Sequence, residues 1–215
     1  MGNFKRVMAV MLVLMLSVCF AFSALAAGSP TGGNTTPDTV VAGVDTQTTP
    51  GNTLTFTTVN GVETVTSVKA TAGTTTVCFV PSESVSHSVA GVTNVGDGTN
   101  GVFDNKEGQD TVGVVVNDAG STTVFNPNAY KGSNVQNITI ATATEFRKDA
   151  FKGAKNKKVT ITVLTKDMKG AKNAFSALSK KSKIRVSKKA MSKKAFKKFQ
   201  KNLKKWGFKG KVKRF

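Results

Sequence analysis

Short runs of alternating apolar and polar residues recur along the chain, and each predicts a β-strand with one buried face. The first two are Leu54-Thr-Phe56-Thr-Thr-Val59 and Val62-Glu-Thr-Val65-Thr-Ser-Val68. Asn60-Gly61 stands between them, and such a pair between two alternating runs predicts a tight hairpin. Thr74 to Val80 predicts a further strand, stopped by Pro81. Shorter runs follow at Val112/Val114, Ile138/Ile140, Val159/Ile161/Val163 and Ile184/Val186. If these side chains face inward, Thr139, Thr160, Thr162 and Arg185 face outward as a candidate ligand surface. Towards the end the period lengthens. Met191, Ala195, Phe196, Phe199, Leu203 and Trp206 fall on one side of a helix predicted from Lys188 to Trp206. Ser187 is its expected N-cap and Gly207 its stop. Lys193, Lys197, Lys201 and Lys204 lie opposite, as a candidate anion-binding face. Phe208 to Phe215 predicts a short basic strand around Val212.

An aromatic residue precedes each of the later strands. Phe103 sits in Gly-Val-Phe-Asp-Asn, Tyr130 in Asn-Ala-Tyr-Lys-Gly, Phe151 in Asp-Ala-Phe-Lys-Gly and Phe175 in Asn-Ala-Phe-Ser-Ala. The steps between them are 27, 21 and 24 residues (103 to 130, 130 to 151, 151 to 175). Periods of roughly 20–29 residues belong to leucine-rich-repeat-like stacks. A unit of that size cannot bury its apolar face alone, so neighbours must stack above and below it.

The segment Ala150-Phe-Lys-Gly-Ala-Lys-Asn156, followed by Val159-Thr-Ile161, resembles the BspA-type leucine-rich repeats of bacterial surface proteins. The Lys-rich final helix and the basic strand after Gly207 are similar to the way many of those chains end. The resemblance covers about residues 92–215. It implies a β-rich solenoid, a leucine-rich-repeat-like stack of short parallel strands with loops. A small N-terminal β unit would precede the stack and a capping α-helix would close it. It also implies a place at the cell surface and a role in adhesion or protein binding.

The first residues add a destination. Lys5 and Arg6 precede an apolar run from Val7 to Phe22, and Ala24-Leu25-Ala26 is a small-x-small cleavage site. This reads as a signal peptide over 1–26, cut before Ala27, rather than a retained anchor. Val18 before Cys19 does not suit a lipoprotein signal. Residues 27–50 are rich in Thr, Gly and Pro, with few large apolar groups, and are expected to form a flexible leader. The expected order is then a small β unit over 51–91, the repeat stack over 92–187, and the capping helix with its terminal strand over 188–215. Cys78 is the one cysteine left after the signal, and it is expected to be a buried thiol.

Charge divides the chain. Residues 27–146 hold Lys69, Lys106 and Lys131 against ten acids, a net of −7, whereas residues 147–215 hold 26 Lys and Arg against Asp149 and Asp167, a net of +24. Such a contrast points to a polyanionic partner, either a protein or a cell-wall polymer. It is also compatible with peripheral contact at an anionic membrane. No nucleic-acid-binding motif is present. Asp97, Asp104, Glu107 and Asp110 make residues 97–110 acidic; clustered oxygens are what calcium takes, but the spacing fits no EF-hand loop, and a solvated turn is expected. His87 is the single histidine, and no nucleophile, base and stabiliser set emerges. The expected function is an exported, non-catalytic binding or adhesion module that uses no cofactor. The alternative is a membrane-active cationic protein working through its amphipathic helix.

Overall fold

The computed structural model describes residues 44–49, 52–70, 76–79, 87–103 and 111–215. The expected signal peptide lies outside the described residues, as does the expected leader up to residue 43. Within that leader Val44–Thr49 forms strand β1, so these six residues are not the flexible segment expected. It pairs antiparallel with β2 (Asn52–Val59) along its whole length. Six consecutive residues bonded through their backbones offset the ordering cost that composition alone emphasised.

β2 and β3 (Val62–Ala70) form the expected hairpin. Asn60 and Gly61 both take positive φ, 52° and 78°, which the turn between twisted antiparallel strands requires. The chain then passes through β4 (Thr76–Phe79), β5 (Val92–Val95), β6 (Gly113–Val116), β7 (Thr122–Phe125) and β8 (Asn137–Ile140). It continues through β9 (Thr144–Phe146), β10 (Thr160–Val163), β11 (Met168–Gly170) and β12 (Lys183–Val186). Helix α1 (Lys193–Lys205) and strand β13 (Lys211–Arg214) complete it.

From β3 to β12 successive strands alternate between two open sheets. One has the order β1-β2-β3-β5-β7-β9-β11, the other β13-β12-β10-β8-β6-β4. Every pairing from β3 onward is parallel. The architecture is β-rich, with parallel sheets and one C-terminal helix, compatible with a solenoid-like stack. In the second sheet Val114, Ile138, Ile161 and Ile184 stand in register, at steps of 24, 23 and 23 residues. The two sheets face each other across one continuous core that runs from Leu54 to Phe208. Parallel strands buried between layers need apolar residues at alternate positions, as the second-sheet strands supply.

The corner after each first-sheet strand from β5 onward carries the aromatic knob. Asn128, Asp149 and Asn173 precede the knobs by two residues, and all three adopt the left-handed region, with φ of 61°, 60° and 65°. Asn and Asp tolerate this conformation better than other non-glycine residues. That explains why the Tyr130, Phe151 and Phe175 motifs each begin with one of them, whereas the Phe103 motif begins with Gly101. The corners are bonded to one another: the Tyr130 N–H donates to the Ala150 carbonyl at 3.0 Å, and that of Gly132 to Gly153 at 2.9 Å. The rings of Phe103, Tyr130, Phe151 and Phe175 stack in a column with centroids 4.9, 4.4 and 5.5 Å apart. Phe125 and Phe146, from the first sheet, lie beside it, 5.0 Å from each other.

The helix starts later than its periodicity suggests. Ser192, not Ser187, is the N-cap, and its Oγ accepts from the Ala195 N–H at 3.2 Å. The Ser187 N–H instead donates to the Val163 carbonyl at 2.9 Å, and that of Lys188 to Phe215 at 3.0 Å. Those bonds keep 187–188 in the strand ladder. Ala195 is exposed, one residue off the stripe formed by Phe196, Phe199, Leu203 and Trp206.

Tyr130 is wholly buried, and its hydroxyl has no hydrogen-bond partner among the described residues. Burial pushes the phenol well above its ordinary pKa of 10.0. Tyr130→Phe is therefore expected to raise stability by about 1 kcal/mol, and Phe151→Ala to lower it by about 3–5 kcal/mol. Denaturant unfolding checks both. The Tyr130 contribution is present below the ordinary tyrosine value and lost as pH rises above it. The wild type alone should therefore lose stability through that group at alkaline pH.

Candidate functional site

The C-terminal end of the stack gathers most of the charge. α1 closes the end of the first sheet, in the place where another strand would follow β11. The Phe175 N–H donates to the Trp206 carbonyl at 2.9 Å, where the Tyr130 N–H donates to Ala150 of the next corner. A Cβ on Gly170 would stand 2.8 Å from the Trp206 ring, so the strand can approach the indole only because residue 170 is glycine. Phe199 and Leu203 are buried in the core, and Phe196 and Trp206 pack against it. Arg214 ties β13 to the start of the helix, donating from Nη2 to the Met191 carbonyl at 2.7 Å.

Lys193, Lys197, Lys201 and Lys204 are all exposed, as expected. Lys194, Lys198 and Lys205, not singled out from sequence, are exposed too. The expected sheet-face surface is less open. Thr139, Thr162 and Arg185 do fall in one cross-strand row, and Thr160 lies in the adjacent row with Asn137 and Lys183. Yet Thr139 and Thr162 are buried, while Thr160 and Arg185 are half-buried. In parallel strands about 4.8 Å apart, a short threonine is sheltered by its neighbours in the row, here Val115 and Arg185.

The same rows lead from Arg185 to three residues that sequence reading missed, Lys183, Lys211 and Lys213. Lys183 pairs with Lys211, and Arg185 with Lys213. Four cations thus occupy a two-by-two grid on the outward side of β12 and β13. The alternation in Lys-Ile-Arg-Val and Lys-Val-Lys-Arg signals which residues face outward, but nothing local shows that the two segments are neighbours. Lys183, Lys211 and Lys213 are exposed, and the Arg185 guanidinium stands 4.6 Å over the Phe215 ring. None of the four has a carboxylate partner among the described residues, where the ion pairs are Arg147–Glu145 at 3.0 Å and His87–Glu63 at 2.8 Å.

The remaining chemistry is sparse. His87 stacks on Phe56 at 3.8 Å, beside Glu63. Asp118 is wholly buried; its Oδ2 accepts from the Ser121 hydroxyl and from Thr93 at 3.0 Å, fastening the corner between β6 and β7. A cavity of about 310 Å³ opens beside the Asn60-Gly61 hairpin, with Asn94, Asn126 and Asp97 in its wall. Asp97 is its one titratable lining group. Both carboxylate oxygens are already engaged: Oδ1 accepts from the backbone of Thr99 and Asn100, each at 2.7 Å, and Oδ2 from the Asn100 amide at 2.8 Å. Among the described residues no cluster of metal-ligating side chains is found. Asp104, Glu107, Asp110 and the Cys78 side chain lie outside them.

Comparison with protein-family models, curated proteins and solved structures finds no match to this chain.

For Asp97, partial burial works to raise the carboxyl pKa. Hydrogen bonds from the backbone of Asn100 and Thr99 and from the Asn100 side chain outweigh it and hold the group below the ordinary 3.8. Its contribution is present above that value and lost as pH falls through the lower folded-state value. Faster amide exchange at Thr99 and Asn100 in Asp97→Ala, at a pH where the wild type is protected, is the expected result.

Proposed function

We propose that this chain is an exported, non-catalytic binding or adhesion module of the bacterial cell surface. Its scaffold would be a leucine-rich-repeat-like solenoid of the BspA type, and its cationic end would hold polyanionic wall polymers. The observation that carries the anion preference is the charge of the last rungs. Residues 147–215 hold 26 Lys and Arg against two acids, and the lysines of α1 and β13 stand exposed. The solenoid reading is supported by the 23–24-residue register of the second sheet and by the recurring Asn/Asp-Ala-aromatic corner. Surface placement rests on the signal-like first residues and on the resemblance.

The membrane-active alternative requires the apolar side of α1 to meet lipid. That side is occupied: Phe199 and Leu203 are buried, and Trp206 lies against Gly170. Releasing it would uncover the end of the core, at a cost of several kcal/mol for the large side chains involved.

Retention on isolated cell envelopes across a salt series, with leakage of anionic vesicles measured in parallel, tests this function. Retention that falls steeply with salt, with intact vesicles, is expected. Salt-insensitive retention, or leakage at the same protein concentration, would favour the other reading.

A further inference from the structure

We infer that the outward rows of β12 and β13 form a binding site for a linear phosphodiester polymer. Lys183 and Lys211 hold one phosphate, and Arg185 and Lys213 hold the next. This rests on the reading of the chain as a polyanion-binding module, and it names the surface and the ligand chemistry.

The grid follows from the ladder. Lys183↔Lys211 and Arg185↔Lys213 are direct cross-strand partners. Adjacent strands stand about 4.8 Å apart, and alternate residues along one strand about 6.6 Å apart. Ile184 and Val186 between them are buried and Val212 packs against the core, so the four cations share the opposite side of the sheet. A phosphate lying between two strands meets one cation from each. The next phosphate, two residues along, meets the second pair.

Such an arrangement works against the fold. Like charges directly opposite one another destabilise a sheet, and no carboxylate among the described residues relieves these four. For β13 part of the reason is structural, since lysines on an edge strand discourage pairing with other chains. That reason does not reach Lys183 and Arg185, because β12 lies inside the sheet between β10 and β13. A local conflict with no structural return marks a functional surface. The α1 lysines differ in this respect. They form the solvated outside of a terminal cap, which a stack of repeats needs for solubility. They also stand on an element packed against the core side of the sheet, away from the grid.

The side chains indicate the anion. Three are ammonium groups, compact charges that meet a tetrahedral phosphate from any direction, and one is a guanidinium. A planar carboxylate is best matched by guanidinium forks, of which the grid holds one. The Arg185 guanidinium rests over the Phe215 ring, which lowers the entropy lost on binding. Beyond β12 the same rows continue as Thr162 and Thr160, so the charged track ends there.

Binding of the purified protein to immobilised poly(glycerol phosphate) and to polyglutamate of matched charge tests the site, with two variants beside the wild type. One carries Lys183→Gln, Lys211→Gln and Lys213→Gln. The other carries Lys193→Gln, Lys197→Gln, Lys201→Gln and Lys204→Gln. Circular dichroism establishes that each is folded, and single Lys183→Gln gives a milder perturbation of the grid. The grid variant is expected to bind the phosphodiester at least about tenfold more weakly. Its dependence of log affinity on log salt should be shallower by about 2. The helix variant should stay nearer the wild type, and polyglutamate should bind less well than the phosphodiester. A helix variant that loses more than the grid variant overturns the site. Equal binding of polyglutamate overturns the ligand class. If the wild type holds neither polymer, the polyanion-binding function falls with the site; full binding by the grid variant removes the site alone.

Discussion

The column of Phe103, Tyr130, Phe151 and Phe175, with neighbouring rings 4.4 to 5.5 Å apart, sets the geometry of the whole chain. Each ring fills the corner of its own rung and forms the floor of the next. It can be buried only if the chain returns to the same place after each repeat. The strands on either side, four residues long in the second sheet, are too short to stand as independent sheets. Register, corner and column therefore hold one another: losing one ring leaves a cavity in the rung above and the rung below.

A column of this kind leaves an open face at each end. At the C-terminal end Trp206 and Phe208 approach Phe175, each at 6.3 Å, and α1 brings them there. The helix thus performs in one place what each rung does for its neighbour. At the other end the antiparallel strands β1 to β3 extend the first sheet, and β3 joins the parallel ladder through Thr64 and Val65 opposite Asn94 and Val95. An antiparallel meander can face solvent more readily than a parallel strand, which suits it to an end.

Burial of that column also gives the cationic end its tolerance. The charges sit on the outsides of β12, β13 and α1, while Ile184, Val186, Phe199 and Leu203 hold the same elements from within. Self-repulsion among exposed lysines is screened by salt and modest for each pair. Each buried large side chain is worth more than that. The C-terminal end can therefore carry an unbalanced charge and stay folded.

Much of this was legible in the residues alone. The Asn60-Gly61 hairpin, the inward positions Ile138, Ile161 and Ile184, the aromatic spacing and the amphipathic final helix all follow from local rules of turn chemistry and side-chain period. The first-sheet strands β7, β9 and β11 were not seen, because three or four residues such as Thr-Glu-Phe carry too little alternation to register. Ser187 has the residue type of a cap, but its backbone is bonded to Val163. Thr139 and Thr162 point outward, but their neighbours in the row bury them. The grid of Lys183, Arg185, Lys211 and Lys213 joins segments separated by a whole helix. Sequence by itself determined which residues of the second sheet face inward, where the first hairpin turns and how charge is divided, since those depend on near neighbours. Which strands lie side by side, where the helix begins and which cations meet were decided only by the tertiary structure, since backbone pairing between distant segments sets them.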